Sequence, residues 1–287
     1  MTGLLFTSVE LGLVYALVVL GVFLTFRILN FPDLTVDGSF VTGAASTALA
    51  LQAGIPGLVA ILIGFAAGFL AGSITAFLHI RLGIGKIIAG ILSLSMLYTI
   101  NLRLMGGPNI SLLWQENIIG WLKTPANDVY VCIFLFVIVV VAKCTVDWFL
   151  QTEIGLRLRA TGDNEMTAQS FAINTKTTKY IGIALSNGLV GLAGGLIAQY
   201  QGFADINMGV GVIILGFAAL MLGEVLTTSN KIPSITTAII VGAILFQVII
   251  NIALRLGLSG TDIKFVTALI VVVALVVGSK SHLSYDK

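Results

Sequence analysis

From residue 57 to residue 78 the chain reads GLVAILIGFAAGFLAGSITAFL, with no charged side chain over a length of helix that matches the hydrocarbon core of a bilayer. A helix so apolar lies either inside a large soluble protein or in a membrane, and composition decides between them. With 57% hydrophobic and only 10% charged residues among 287, there is too little polar surface to solvate a globule. Helices satisfy their own backbone groups in lipid, so the chain reads as an all-α polytopic membrane protein. Residues 1–287 form a single transmembrane domain, with no room for a soluble catalytic one. A net charge of +2 leaves no electrostatic footprint for nucleic acid.

Apolar runs over residues 3–26, 39–53, 57–78, 87–102, 129–150, 180–204, 206–223, 232–254 and 263–278 predict about nine spans, within a range of about eight to ten. The first run lacks a basic start and a small-residue cleavage pattern, so it reads as a retained span. Glu10 within it either lines a pathway or is paired. The second run follows ILNFPDLTVDG and is barely long enough to cross. A half-helix or re-entrant segment is the alternative there, tolerated at depth only where buried in protein or facing water. Gly64, Gly68 and Gly72 have the small-xxx-small spacing that lets helices approach closely. Cys132 and Cys144, on one apolar run, read as core packing, Lys143 as snorkelling, and Trp114 and Trp121 as interfacial anchors.

The positive-inside bias sets the orientation. With the N-terminus outside, the outer loops keep only Arg103, Lys123, Arg255 and Lys264 of the 15 lysines and arginines. The C-terminus and the long hydrophilic run 153–175, EIGLRLRATGDNEMTAQSFAINT, are then inside. Asp163 or Asn164 can cap a short helix starting near Glu165, on which Ala168, Phe171 and Ala172 share an apolar face. Two turns of helix are unstable alone in water, so such a helix needs a surface or a groove. A docking element fits, and so does an ordinary cytoplasmic loop.

FPD at 31–33 recurs as FAD at 203–205, and RLGIG at 81–85 recurs as RLGLS at 255–259, at nearly the same offset. Counting spans, the second matches the seventh, and an odd shift reverses direction through the bilayer. The chain therefore reads as inverted repeats, about 27–104 and 199–279, an architecture typical of transporters. No phosphate loop is present, since Ile80 stands where the first glycine of G-x-x-x-x-G-K would be. His79 and His282 stand alone, giving no metal motif and no cofactor site. Asp33 and Asp37, at i and i+4 beside a broken span, suit an ion or ammonium group, or cap a helix.

GLRLRATGDNEMTAQSFAIN, with Gly155, Arg159, Ala160, Gly162, Asn164 and Ala168, resembles the cytoplasmic coupling segment of bacterial ABC importer permeases of the branched-chain amino acid and ribose type. ILNFPDLTVDGSFVTGAA and INMGVGVIILGFAALMLGE resemble that family's early Asn-Phe and later Met-Gly segments. Ala172 departs from the pattern, standing where a glycine is usual before isoleucine, and Pro32, Asp33 and Asp37 replace the sequence common in branched-chain members. That version looks like a subgroup associated with amino acids, including aromatic ones.

The resemblance implies a homodimeric permease of the bacterial inner membrane, importing a small polar solute, most simply an amino acid, by alternating access. Its implied partners are cytoplasmic ABC ATPase subunits that dock on 153–175 and an extracellular or periplasmic substrate-binding protein; the chain itself is not an enzyme. Docking would fall to Arg159, Gly162, Asp163, Asn164, Glu165 and Ala168. The translocation pathway would be lined by Asp33, Thr35, Asp37, Asn187 and Met208. The rival reading is a secondary transporter driven by an ion gradient, which inverted repeats and the two aspartates also suit but which does not need the docking segment.

Overall fold

A computed structural model describes residues 2–122, 129–227, 229, 231–256, 265, 267–270 and 272. The helices are α1 (Thr2–Val22), α2 (Val36–Gln52), α3 (Gly57–Ile80), α4 (Lys86–Met105), α5 (Ile118–Leu122), α6 (Val129–Gln151), α7 (Glu153–Asp163), α8 (Glu165–Ser170), α9 (Thr175–Gln201), α10 (Val212–Val225) and α11 (Ile232–Arg255). Among the described residues, six continuous stretches are long and apolar enough to cross a membrane: Phe6–Ile28, α3, α4, α6, α9 and α11. The expected second and seventh spans are the shorter helices α2 and α10. Most of the expected ninth, 263–278, lies outside the described residues.

The fold is all-helical, with one short ladder among the described residues. β1 (Asn109–Ser111) pairs antiparallel with β2 (Phe203–Asp205), Ile110 opposite Ala204. Leu112 N–H donates to the Gly202 carbonyl at 2.8 Å, and Ile206 N–H to that of Pro108 at 2.8 Å, so the pairing continues past both strands. The second half of α2 packs on this ladder through Ala44, Ala45, Ala48 and Leu51, together with Met105, Ile110 and Ala204. The ladder marks one end of the bundle, and α7 with α8 mark the other.

The centre is built from α1 and α9, whose apolar windows are 78% and 83% buried, against 28% for α4 and 22% for α6. α4 and α6 show apolar side chains such as Ile91, Met96, Phe136 and Val141 on the outer surface, as expected of helices facing lipid or another apolar surface. α3 crosses α9 antiparallel at the small-residue stripe: a Cβ on Gly68 would run into the Asn187 carbonyl, and one on Gly72 into that of Ile183. Close approach of this kind replaces the hydrophobic drive that lipid cannot supply. Glu10 is buried and accepts a hydrogen bond from the Tyr200 hydroxyl at 2.8 Å.

Two readings of single side chains are corrected. Lys143 does not reach for an interface but pairs at 2.5 Å with Asp147, whose other oxygen accepts from Thr236 Oγ1 of α11 at 2.7 Å. A carboxylate one helical turn away, itself largely buried, holds the ammonium in place of snorkelling. Cys144 is exposed and Cys132 half-buried, because α6 is peripheral rather than central.

α1 does not end cleanly. The turn after it, Phe23–Ile28, widens to π-helical hydrogen bonding, Asn30 follows with φ +52°, and residues 31–33 carry no regular secondary structure before a turn at Leu34 and Thr35. α2 begins only there, with Gly38 facing Leu94 and Leu97 near the middle of α4. α10 starts at the same place, because Asp37 of α2 bonds to its first turn. From this shared point α2 runs to the ladder and α10 runs to the opposite end, where Glu224 pairs with Arg27 at 2.9 Å. Two short helices thus start halfway along the bundle and leave in opposite directions.

Candidate functional site

The hydrophilic run 153–175 folds into two helices rather than one. Thr152 Oγ1 accepts from Gly155 N–H to cap α7, and Gly155, Leu158 and Thr161 form its buried stripe. The α7 helix was missed in the sequence because Arg157 and Arg159 interleave with its few apolar residues and its buried stripe is mostly small or polar, so tertiary contact along that stripe is what holds it. Its decisive contact is Gly162, where a Cβ would collide with the carbonyl oxygen of Ile28. Asn164 then turns to extended backbone, φ −151°, and its Oδ1 accepts from Thr167 N–H at 3.0 Å, capping α8 as a side-chain oxygen should. Asp163 closes α7 instead of capping α8.

The apolar face expected on α8 is not there. Ala168 is buried, but Phe171 is 76% exposed and Ala172 has already left the helix with φ +59°. That left-handed conformation suits glycine and strains alanine. What holds α8 is polar: Glu165 pairs with Lys179 of α9 at 2.5 Å, and Gln169 Nε2 donates to Thr175 Oγ1 at 3.2 Å. The hydrogen bond from Lys179 keeps the Glu165 carboxyl below its ordinary range, against partial burial, with the Lys86 charge helping. Lys86 in turn donates to the Asn30 carbonyl at 3.0 Å. Between α7 and the end of α1 lies an open groove of about 700 Å³ that includes Arg27, Arg159, Gly162 and Asp163 in its lining. Of the six residues expected to dock a partner, these last three line the groove. Asn164, Glu165 and Ala168 shape α8 beside it.

The five residues expected along a pathway divide into two groups. Asp33 is 2% exposed; its Oδ1 accepts from Thr35 N–H at 2.9 Å and its Oδ2 from Asn187 Nδ2 at 2.6 Å. Thr35 Oγ1 shares a 2.7 Å hydrogen bond with Thr75 of α3, which sequence reading did not single out. Asp33, Thr35, Asn187 and Thr75 thus make a polar knot tying segment 30–35 to α3 and α9, in which Asn187 Oδ1 keeps no partner among the described residues. Asp37 stands apart. Its oxygens accept from Gly211 N–H at 3.0 Å and Ile213 N–H at 2.8 Å, filling the donors that open the first turn of α10. Gly211 takes φ +91°, which only glycine adopts without strain. Met208 sits half-buried in the loop before α10, its sulfur 3.5 Å from Asp205 N–H.

Asp37 also lines a cavity of about 440 Å³ between α2, α4 and residues 206–210. Ser95, Tyr98 and Asn101 of α4 face it. These three were missed, although their i, i+3, i+6 spacing marks a polar stripe on an otherwise apolar helix, a signal the sequence carries.

The family model described as the permease component of branched-chain amino acid transport systems matches residues 4–278. The chain belongs to that family. It is the membrane-embedded permease subunit of an ABC importer, a multi-pass protein that works with an ATPase and a substrate-binding protein and is not itself the catalyst. It is similar to the tyrosine transport system permease protein of Clostridioides difficile (strain R20291), 37% identical over 97% of this chain and 92% of that one. The uncharacterized protein RP368 of Rickettsia prowazekii is 33% identical over 95% of this chain and 97% of its own length. The autoinducer 2 import system permease LsrC of Yersinia pseudotuberculosis is 26% identical over 89% and 72%. A solved ABC transporter in an inward-facing conformation shares the fold, with a TM-score of 0.50 at 18% identity, covering 97% of this chain and 86% of that one.

Proposed function

We propose that this permease imports an amino acid, with tyrosine the leading substrate, as a homodimer in a bacterial plasma membrane. The observation that carries the solute is the 37% identity to a tyrosine permease across 97% of the chain. A cavity lined both by polar acceptors and by Val41, Leu94 and Ile206 is of a size and character to admit one amino acid. The α7 end lies in the cytoplasm, where the ATPase is, and the N-terminus and the ladder lie outside. The lysine and arginine bias supports that orientation, and the exposed Trp114 and Trp121 suit a membrane interface at the ladder end.

The ATPase docks on Arg159, Gly162, Asp163, Asn164, Glu165 and Ala168, taking the groove beside α7 and the exposed Met166 and Phe171. A push on α7 reaches the end of α1 directly, because Gly162 rests on the Ile28 carbonyl. From Ile28 segment 30–35 leads through the Asp33 knot to Asp37, so displacement there shifts both short helices at their common start. FPD and FAD each precede one of these helices, which leave in opposite directions, and this supports reading 27–104 and 199–279 as inverted repeats.

Proteoliposomes containing the permease with its ATPase and binding protein test the function. ATP-dependent uptake of labelled tyrosine, competed by unlabelled tyrosine and not by leucine, is the expected result. Uptake of leucine in preference to tyrosine would overturn the substrate, and uptake on an ion gradient without ATP would overturn the mechanism.

A further inference from the structure

We propose that the cavity between α2, α4 and residues 206–210 is the chamber that holds the solute's ammonium group in transit, with Asn101 Oδ1 and the Asp37 carboxylate as its acceptors. The proposal rests on the reading of the cargo as an amino acid. Its starting point is Asn101, which is 1% exposed, lines the cavity, and keeps a buried Oδ1 with no hydrogen-bond partner among the described residues. A buried carbonyl oxygen left unpaired costs free energy. Ser39 Oγ, Ser93 Oγ and Asn187 Oδ1 are likewise buried without a partner among the described residues, but Asn101 alone of the four lines the cavity, where a visiting donor can reach it. The amide cannot simply be turned over. Asn101 Nδ2 donates to the Gly38 carbonyl at 3.3 Å, and a flip would set oxygen against oxygen.

Asp37 supplies the charge. Each of its oxygens accepts one backbone N–H, which leaves further lone pairs, and no lysine or arginine among the described residues pairs with it. The lining therefore offers a carboxylate from α2, an amide from α4 and no cationic side chain, a set complementary to a positively charged donor. Val41, Leu94 and Ile206 add apolar surface beside them and Tyr98 an exposed ring, so a primary ammonium carrying an apolar or aromatic side chain fits better than a sugar. Ser95, exposed on the same face of α4, reports on occupancy.

Two measurements on the reconstituted permease, ATPase and binding protein test this. In the first, Asn101→Leu is compared with Asn101→Asp for uptake of whichever amino acid the wild type carries. ATPase stimulation by the liganded binding protein reports that the complex is intact. Uptake is expected to fall about tenfold or more in Asn101→Leu, as for loss of a hydrogen bond to a charged group, and to survive in Asn101→Asp, with ATPase stimulation kept in both. Wild-type uptake in Asn101→Leu would overturn the chamber while leaving the amino-acid reading intact. A wild type that imports only solutes without an amino group would overturn both.

The second measurement does not depend on Asn101. Ser95→Cys, with Cys132 and Cys144 replaced by serine, is labelled by a thiol reagent in the assembled complex. Solute delivered by the binding protein is expected to slow labelling several-fold. Unchanged labelling, or equal protection by sodium ion alone, would overturn the assignment.

Discussion

Gly162→Ala isolates the contact through which force is expected to enter the membrane. Alanine favours a helical position over glycine by about 1 kcal/mol, so on propensity alone the change stabilises α7. The structure reverses the sign. The added methyl would occupy the space of the Ile28 carbonyl oxygen, with the Leu29 Cα close behind, and backbone cannot rotate aside as a side-chain tip can. Overpacking costs about 1–3 kcal/mol, and a rigid neighbour puts this case at the upper end, for a net loss of about 1–2 kcal/mol. Thermal unfolding in detergent should therefore drop by about 4 °C, at about 2–4 °C per kcal/mol for a chain of this size class. ATP-driven uptake should fall further than stability does, because α7 must stand off from α1. Gly107→Ala is the control, since nothing lies within reach of its added methyl, and it should leave both readings unchanged. A Gly162→Ala protein that melts higher and transports normally would refute the contact and the transmission route built on it.

Three further outcomes follow from the same geometry. Asp37→Ala strands the Gly211 and Ile213 amides and should cost about 3 kcal/mol, whereas Asp37→Asn keeps an acceptor and should cost about half; melting temperatures in detergent check the order. Ala172→Gly relieves the left-handed φ of +59° and should stabilise the chain by about 1 kcal/mol, read as a melting temperature raised by about 2 °C. Glu165 has a carboxyl held below its ordinary value of 4.5, so its pairing contributes fully above that value and is lost as pH falls through the lower folded-state value. Hydrogen exchange of the α8 amides should therefore stay flat as pH falls from 8 toward the ordinary carboxyl value of 4.5, quicken relative to the unfolded rate only below it, and become insensitive to that acid step in Glu165→Gln.

The long apolar helices were readable because bilayer thickness sets their length and lipid their composition, and their boundaries differ from expectation by a few residues. α9 is the exception, starting at Thr175 rather than near residue 180, because the Asn174 cap lets a polar turn begin it. The short second segment also announced itself through Pro32, Asp33, Asp37 and Gly38, which interrupt the apolar pattern. What could not be read was pairing at a distance. Asp37 looks in sequence like a cap for its own helix, yet it caps α10, and only the tertiary fold brings residue 213 to residue 37. Phe171 follows the spacing of an apolar face, but the strained Ala172 ends α8 first and turns the ring outward. Asn101 gives no distinct signal in sequence, because an uncharged amide in an apolar run serves helix–helix hydrogen bonding as readily as a site.

The ladder at the far end has a consequence for how the bundle opens. It fastens the exit of α4 to the chain that leads into α10, and those same two pieces form facing walls of the 440 Å³ cavity. Walls joined along one edge cannot part there without breaking backbone pairing, so they swing like the covers of a book about its spine. Access near the ladder is then the stiff direction, and the compliant one points toward α7 and α8.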